Sequence, residues 1–224
     1  MGREIMKRKV ANAEQAGHDP DLKQDDVRTR IKELATRLLV TRGVKAMSFG
    51  EIAEKISTTR ANIHYHFKNK GSLVEEVIID YVDIALSQLS DIWTGADVTF
   101  RDRLQMTCQF NRSRYLRYNS AHDYGHPWSL ITRMRADRES LTRRAKKPLS
   151  KFVVELRKLI RRGIEQAIVS GELSPSTPTL EVEIQIANLI NSVGAILEDS
   201  GEGFDSIGEL YESFILILYD AYGT

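Results

Sequence analysis

Cysteine occurs once in 224 residues, at Cys108. One thiol cannot close an internal disulfide, and it argues for a reducing, cytosolic setting. Long hydrophobic runs are also missing. The longest apolar stretch is Phe214 to Tyr219, far below the roughly 18 residues a membrane-spanning helix needs, so no membrane partner is expected. The basic N-terminal residues Arg3, Lys7, Arg8 and Lys9 are followed by no apolar segment, which excludes a secretory leader. Missing too are a Gly-rich phosphate loop, a nucleophile elbow and a His-Glu-x-x-His zinc motif. Cys108 has no sequence neighbour that would make it a nucleophile. The chain is expected to be no enzyme and to carry no cofactor and no metal. The loop His122–His126 offers two imidazoles and a carboxylate but no further ligand. Lys and Arg are absent from the last fifty residues, where Glu181, Glu183, Glu198, Asp199, Glu202, Asp205, Glu209, Glu212 and Asp220 stand.

The positive charge lies at the other end. Val27 to Leu73 holds Arg28, Arg30, Lys32, Arg37, Arg42, Lys45, Lys55, Arg60, Lys68 and Lys70 against Glu33, Glu51 and Glu54. A net charge of +1 divided this unevenly hints at nucleic acid contact near the basic end.

The periodicity is helical throughout, with no convincing strand and no fixed repeat. Residues 1–24 are polar and aperiodic and read as a flexible arm. Val27, Ile31, Leu34, Ala35 and Leu38 share one helical face, which Gly43 ends. Ser48-Phe-Gly-Glu51 is a capping box that opens a short helix with Phe49, Ile52, Ala53 and Ile56 inward. A second short helix runs from about Thr59 to Phe67. A long amphipathic helix follows from about Ser72 to Trp93, and another from about Phe100 to Asn119. Pro127 suits the first turn of a further helix. Asp137 to Val169 reads as one long helix, kinked or broken at Pro148. Two apolar helices, Thr179–Asp199 and Asp205–Tyr222, end the chain. The expected fold is all-α, with about nine helices: a head over 25–70 and a larger domain over 71–224.

The stretch STTRANIHYHFKNK, Ser57 to Lys70, is crowded with short-reach hydrogen-bonding groups, with only Ile63 and Phe67 suited to a core. Two short helices joined by a tight turn have the form of a helix-turn-helix. Arg60 offers the chemistry that pairs with guanine O6 and N7, and Asn62 the chemistry that pairs with adenine N6 and N7. Hydroxyls, histidines and lysines at the edges suit phosphates. His64 and His66, two apart on a helix, diverge and make a poor metal pair.

SFGEIAEKISTTRANIHYHFKNKGSLVEEVI resembles the DNA-binding unit of the TetR (AcrR) family of bacterial repressors. The resemblance covers about fifty residues, Val27 to Ile78. It implies a homodimer whose heads bind operator DNA and whose larger domain binds a small-molecule effector. Position by position it implies that Ser48 caps its helix and touches phosphate. It puts Thr59, Arg60, Asn62 and His64 toward the groove, Tyr65 and His66 on backbone or a base edge, and Lys70 on a phosphate. Ser57 stands where the family often has a turn glycine, Thr58 where it has a buried valine, and His64 where it commonly has tyrosine.

In the larger domain Trp93, Cys108, Tyr115 and Trp128 are candidate effector-pocket residues, though aromatic residues at helical spacing are as a rule core. The small stripe Ala187, Asn191, Gly194 and Ala195, with Phe214 and Leu218 on the last helix, is expected to form a four-helix dimer interface. The expected function is a ligand-responsive, cytoplasmic DNA-binding regulator acting as a repressor. The alternative is a small-molecule-binding or interaction protein of the same fold that no longer reads DNA.

Overall fold

The computed structural model describes residues 20–224 apart from 121, 124, 201 and 202, and side chains from residue 26 onward. The arm expected over 1–24 therefore falls outside the described residues up to position 19, and its last residues belong to the first helix. Nine α-helices stand among the described residues: α1 (Pro20–Ala46), α2 (Phe49–Lys55), α3 (Arg60–Phe67), α4 (Lys70–Thr94), α5 (Phe100–Tyr115), α6 (Leu130–Ala136), α7 (Arg143–Val169), α8 (Thr179–Ser200) and α9 (Asp205–Tyr222). No strand is present among them, and a single antiparallel bridge joins Leu173 to Gly223.

The head forms as the apolar spacing requires. Ile31, Ala35 and Leu38 of α1 meet Ile52, Ile63 and Phe67, all buried. Two ion pairs, Arg28–Glu76 and Lys32–Asp80, tie α1 to α4. The backbone of α1 leaves helical geometry at Gly43, whose φ of 79° favours glycine; a side chain there would also strike the Asp137 carboxylate. Helix α4 runs out of the head into the larger domain, where it packs mainly on α7, and α7 in turn packs on α8.

Three sequence expectations are corrected. Asp137–Val169 is not one helix. A 3-10 turn at Arg138–Ser140 and extended Leu141 precede Thr142, whose hydroxyl caps α7 by accepting from Ala145 N–H at 3.1 Å. Helix α7 then passes Pro148 without interruption, so the break lies upstream of the proline. Pro127 precedes a helix that starts only at Leu130, capped by Ser129. Helix α5 ends at Tyr115, four residues early, in a turn closed by Asn119.

Helix α8 is long and apolar enough to cross a membrane by length and composition, contrary to the expectation that no such segment exists. Half of it is buried inside the molecule. It also holds Glu183, buried, where Arg157 and Arg161 of α7 donate to its two carboxylate oxygens at 2.5 and 2.6 Å. These are the properties of a core helix.

Candidate DNA-binding surface and effector cavity

Ser48 and Thr59 are both N-caps in extended conformation. The Ser48 hydroxyl accepts from Glu51 N–H at 3.2 Å, and the Thr59 hydroxyl from Asn62 N–H at 3.1 Å. These bonds fix the angle between α2 and α3. The turn between them passes through Ser57 at φ 55°, a left-handed conformation that glycine tolerates better than serine.

The exposed face of α3 carries Arg60, His64 and Tyr65, the last 71% exposed. Arg60 lies across Gly50 of α2, so closely that a Cβ on Gly50 would sit 2.5 Å from its Nη2. The guanidinium is thus laid against the preceding helix at the mouth of the turn. Asn62 is less free than expected: its amide donates to the Thr58 hydroxyl at 2.9 Å. Thr58 therefore uses the hydroxyl that a valine would lack. One ring nitrogen of His64 is 2.8 Å from the Lys68 carbonyl, and the ring stands edge-on to Phe49 at 4.9 Å. The other nitrogen remains for an outside partner. His66, half-buried, lies edge-on to Tyr65. Lys70 opens α4 and donates to the Lys45 carbonyl at 3.2 Å, with Asn69 capping that helix. The structure thus gathers Ser48, Thr59, Arg60, Asn62, His64, Tyr65, His66 and Lys70 on α2, α3 and the start of α4. Not all ten cations of the head are available, because Arg28, Lys32 and Arg42 are paired with carboxylates.

The four candidate effector residues do not form one site. Trp93 is fully buried against Phe100 and Gly163, a core position. Cys108, Tyr115 and Trp128 belong to a separate apolar cluster, with the Tyr115 and Trp128 rings edge-to-face at 6.1 Å. Burial pushes the Cys108 thiol up to about 11. Trp128 alone of the four lines the small cavity enclosed by α5, α6, α7 and α8, about 30 Å³, room for one or two waters. Its indole N–H is buried without a hydrogen-bond partner.

The polar lining of that cavity was not anticipated. Arg114 stacks between Tyr81 and Phe110, 4.3 and 4.9 Å from their ring centroids. Arg135 donates to Asn191 at 2.8 Å, and burial lowers its pKa. Neither guanidinium meets a carboxylate among the described residues. Arg112, Arg114 and Arg117 read in sequence as a solvated face, and only contacts across helices separate Arg114 from the other two.

The small-residue stripe of α8 faces inward. A Cβ on Gly194 would lie 2.6 Å from the Thr132 hydroxyl and 3.2 Å from Ser129 of α6. Asn191 holds Arg135, and Ala187 and Leu218 are buried within the chain. Phe214 is half-buried and Ala195 exposed. The close approach that small residues permit is made by α6 of the same chain, which corrects the expectation that a partner makes it. The apolar side chains left outside are Ile184 and Ile196 on α8 and Leu210, Leu216 and Ile217 on α9.

Two short capped helices across a tight turn, with a second, larger helical domain behind, define a helix-turn-helix DNA-binding protein. Residues 31–77 match the family described as bacterial regulatory proteins, tetR family. The chain is 34% identical over 56 residues to the HTH-type transcriptional repressor KstR2 of Mycolicibacterium smegmatis, covering 25% of this chain and 27% of that one. It is 40% identical over 52 residues to the HTH-type transcriptional regulator AcrR of Shigella flexneri, covering 23% and 24%. These matches span about a quarter of the length of either relative. The fold matches more widely: a TetR-family transcriptional regulator from Agrobacterium tumefaciens superposes with a TM-score of 0.73 at 14% identity, covering 87% of this chain and 98% of that one. The chain belongs to the TetR/AcrR family of regulators.

Proposed function

We propose that the protein is a homodimeric repressor that leaves its operator when a small molecule binds the larger domain. The observation that carries the DNA half is the exposed α3 face, where Arg60 is placed over Gly50 and flanked by groups suited to phosphates. Arg60 reads a base edge; Ser48, Tyr65, His66 and Lys70 hold the backbone. A regulator of this kind works where the chromosome is, in the cytoplasm.

The effector half rests on the central cavity. Two guanidinium groups without carboxylates, an unpartnered indole N–H and aromatic walls suit an effector with an acidic group on an apolar body. The cavity is small, so the effector must open it. The natural consequence is movement of α6, which carries Arg135. Asp137, at the C-cap of α6, accepts the Val44 N–H of α1 at 2.7 Å, so motion of α6 reaches the head directly. Release then follows from a higher effector affinity for the head spacing that fits DNA poorly.

The dimer is formed by the outer faces of α8 and α9, where Ile184, Ile196, Leu210, Leu216 and Ile217 are exposed and no cation lies nearby in sequence. Selection of duplexes from a random pool tests the reading. Enrichment of a two-fold symmetric site supports it. Failure to enrich any sequence, with the protein folded, favours the alternative of a helical small-molecule-binding protein that does not read DNA.

A further inference from the structure

Helix α7 carries a second concentration of positive charge. Between Arg143 and Arg162 stand nine Lys and Arg residues and one acid, Glu155. The far end of this run is largely matched by carboxylates: Arg157 and Arg161 hold Glu183, and Lys158 pairs with Glu155. Nearer the start, Arg144 approaches Glu75 and Lys151 pairs with Asp83, both acids of α4. Arg143, Lys146 and Lys147 have no side-chain partner among the described residues. Arg143 and Lys147, one turn apart, are fully on the exposed side, opposite buried Ala145 and Leu149.

The unmatched end is the end that abuts the head. Thr142, the cap of α7, donates to Glu75 at 2.5 Å, and its methyl group lies 3.5 Å from where a Cβ on Gly71 would be. Gly71 follows Lys70 in the first turn of α4. Lys70 in turn bonds the Lys45 carbonyl, and Lys45 lines an open groove with Arg138 and Lys146. Cations therefore run without a gap from Lys70 through Lys45 to Arg138, Lys146 and the first turns of α7. The acids within this groove are Asp137, which is engaged by Val44 N–H, and exposed Glu139.

We propose that the start of α7 extends the DNA-binding surface beyond the helix-turn-helix, with Arg143, Lys146 and Lys147 neutralising backbone phosphates next to the one held at Lys70. The inference rests on the DNA-binding reading above. Phosphates of one strand follow each other every 3.4 Å or so along the axis. A duplex held at Lys70 thus brings neighbouring phosphates toward side chains of this length. The contact is to backbone only, so it adds affinity and salt dependence without sequence preference.

The test compares two double variants on the same helix, each removing two positive charges at i, i+4 spacing: Arg143→Gln/Lys147→Gln beside the head, and Lys158→Gln/Arg162→Gln about 22 Å further along the axis. Affinity for a mixed-sequence duplex reaching past both heads is measured by fluorescence anisotropy over a salt series. The head-proximal pair is expected to flatten the slope of log affinity against log salt by about 1.8, from 0.9 per phosphate contact, while the distal pair leaves it unchanged. Equal flattening by both pairs would mean a diffuse charge effect and overturn the proposal, as would no flattening by either. A wild-type protein with no salt-sensitive duplex binding would instead defeat the DNA-binding reading itself, and the α7 contact with it.

Discussion

Gly50→Ala should make the protein more stable and a poorer reader of DNA. Gly50 is the second residue of α2, and its replacement by alanine removes a backbone-entropy cost of up to about 1 kcal/mol. The new Cβ would lie 2.5 Å from Arg60 Nη2, 2.9 Å from Nε and 3.0 Å from Cζ. Non-bonded heavy atoms settle at about 3.5–4.0 Å, so the guanidinium must retreat by about 1 Å. Arg60 is exposed and flexible, which makes that retreat cheap for folding. It is not cheap for recognition: a bidentate pair to guanine depends on donor–acceptor distances within a few tenths of an ångström of 2.9 Å. Discrimination worth about 1–3 kcal/mol is at stake. A thermal melt and competition binding against a duplex with one guanine replaced read the two effects separately. An unchanged preference with a raised melting temperature would refute the claim that Arg60 reads from its place on α2.

Ser57→Gly should raise stability by about 0.5–1 kcal/mol. The left-handed φ of 55° costs serine about 1–2 kcal/mol, and glycine's extra chain entropy offsets part of the gain; chemical denaturation reads the sum. Asp137→Ala should cost about 1–3 kcal/mol by leaving the half-buried Val44 N–H unpaired, whereas Asp137→Asn, which keeps an acceptor oxygen, should cost less. Leu216→Glu with Ile217→Glu should yield folded monomer by sedimentation, since both side chains are exposed in the chain and their loss leaves its core intact. The Cys108 thiol, raised to about 11 by burial from an ordinary 9.0, stays protonated at pH 8, so alkylation should run about 100-fold slower than for an exposed cysteine. Comparable rates would contradict its burial.

The head was legible in sequence because its signals are local. A hydroxyl cap, a four-residue apolar spacing and a run of short polar side chains each act within one or two turns, and Ser48, Thr59 and Phe67 stand where those signals put them. Ser57 shows the limit of local reading: its departure from glycine was visible, and its strained φ was not. The larger domain was legible only as helices. The end of α6 and the cap at Thr142 went unseen because Asp137 and Thr142 act through partners some 93 and 67 positions away, at Val44 and Glu75. The small stripe of α8 did signal close helix approach, but nothing in one helix tells which neighbour approaches, and Gly194 met α6 of its own chain. Arg114 and Arg135 come together only through tertiary packing.

The central claim is a two-headed protein on a two-fold site. Its most direct test is sedimentation of the wild-type chain mixed with the symmetric duplex that selection enriches, in low salt. The account predicts one complex containing two chains per duplex, lost steeply as salt rises because phosphate contacts release counterions. A complex with one chain per duplex, or no complex at all in low salt, would contradict it.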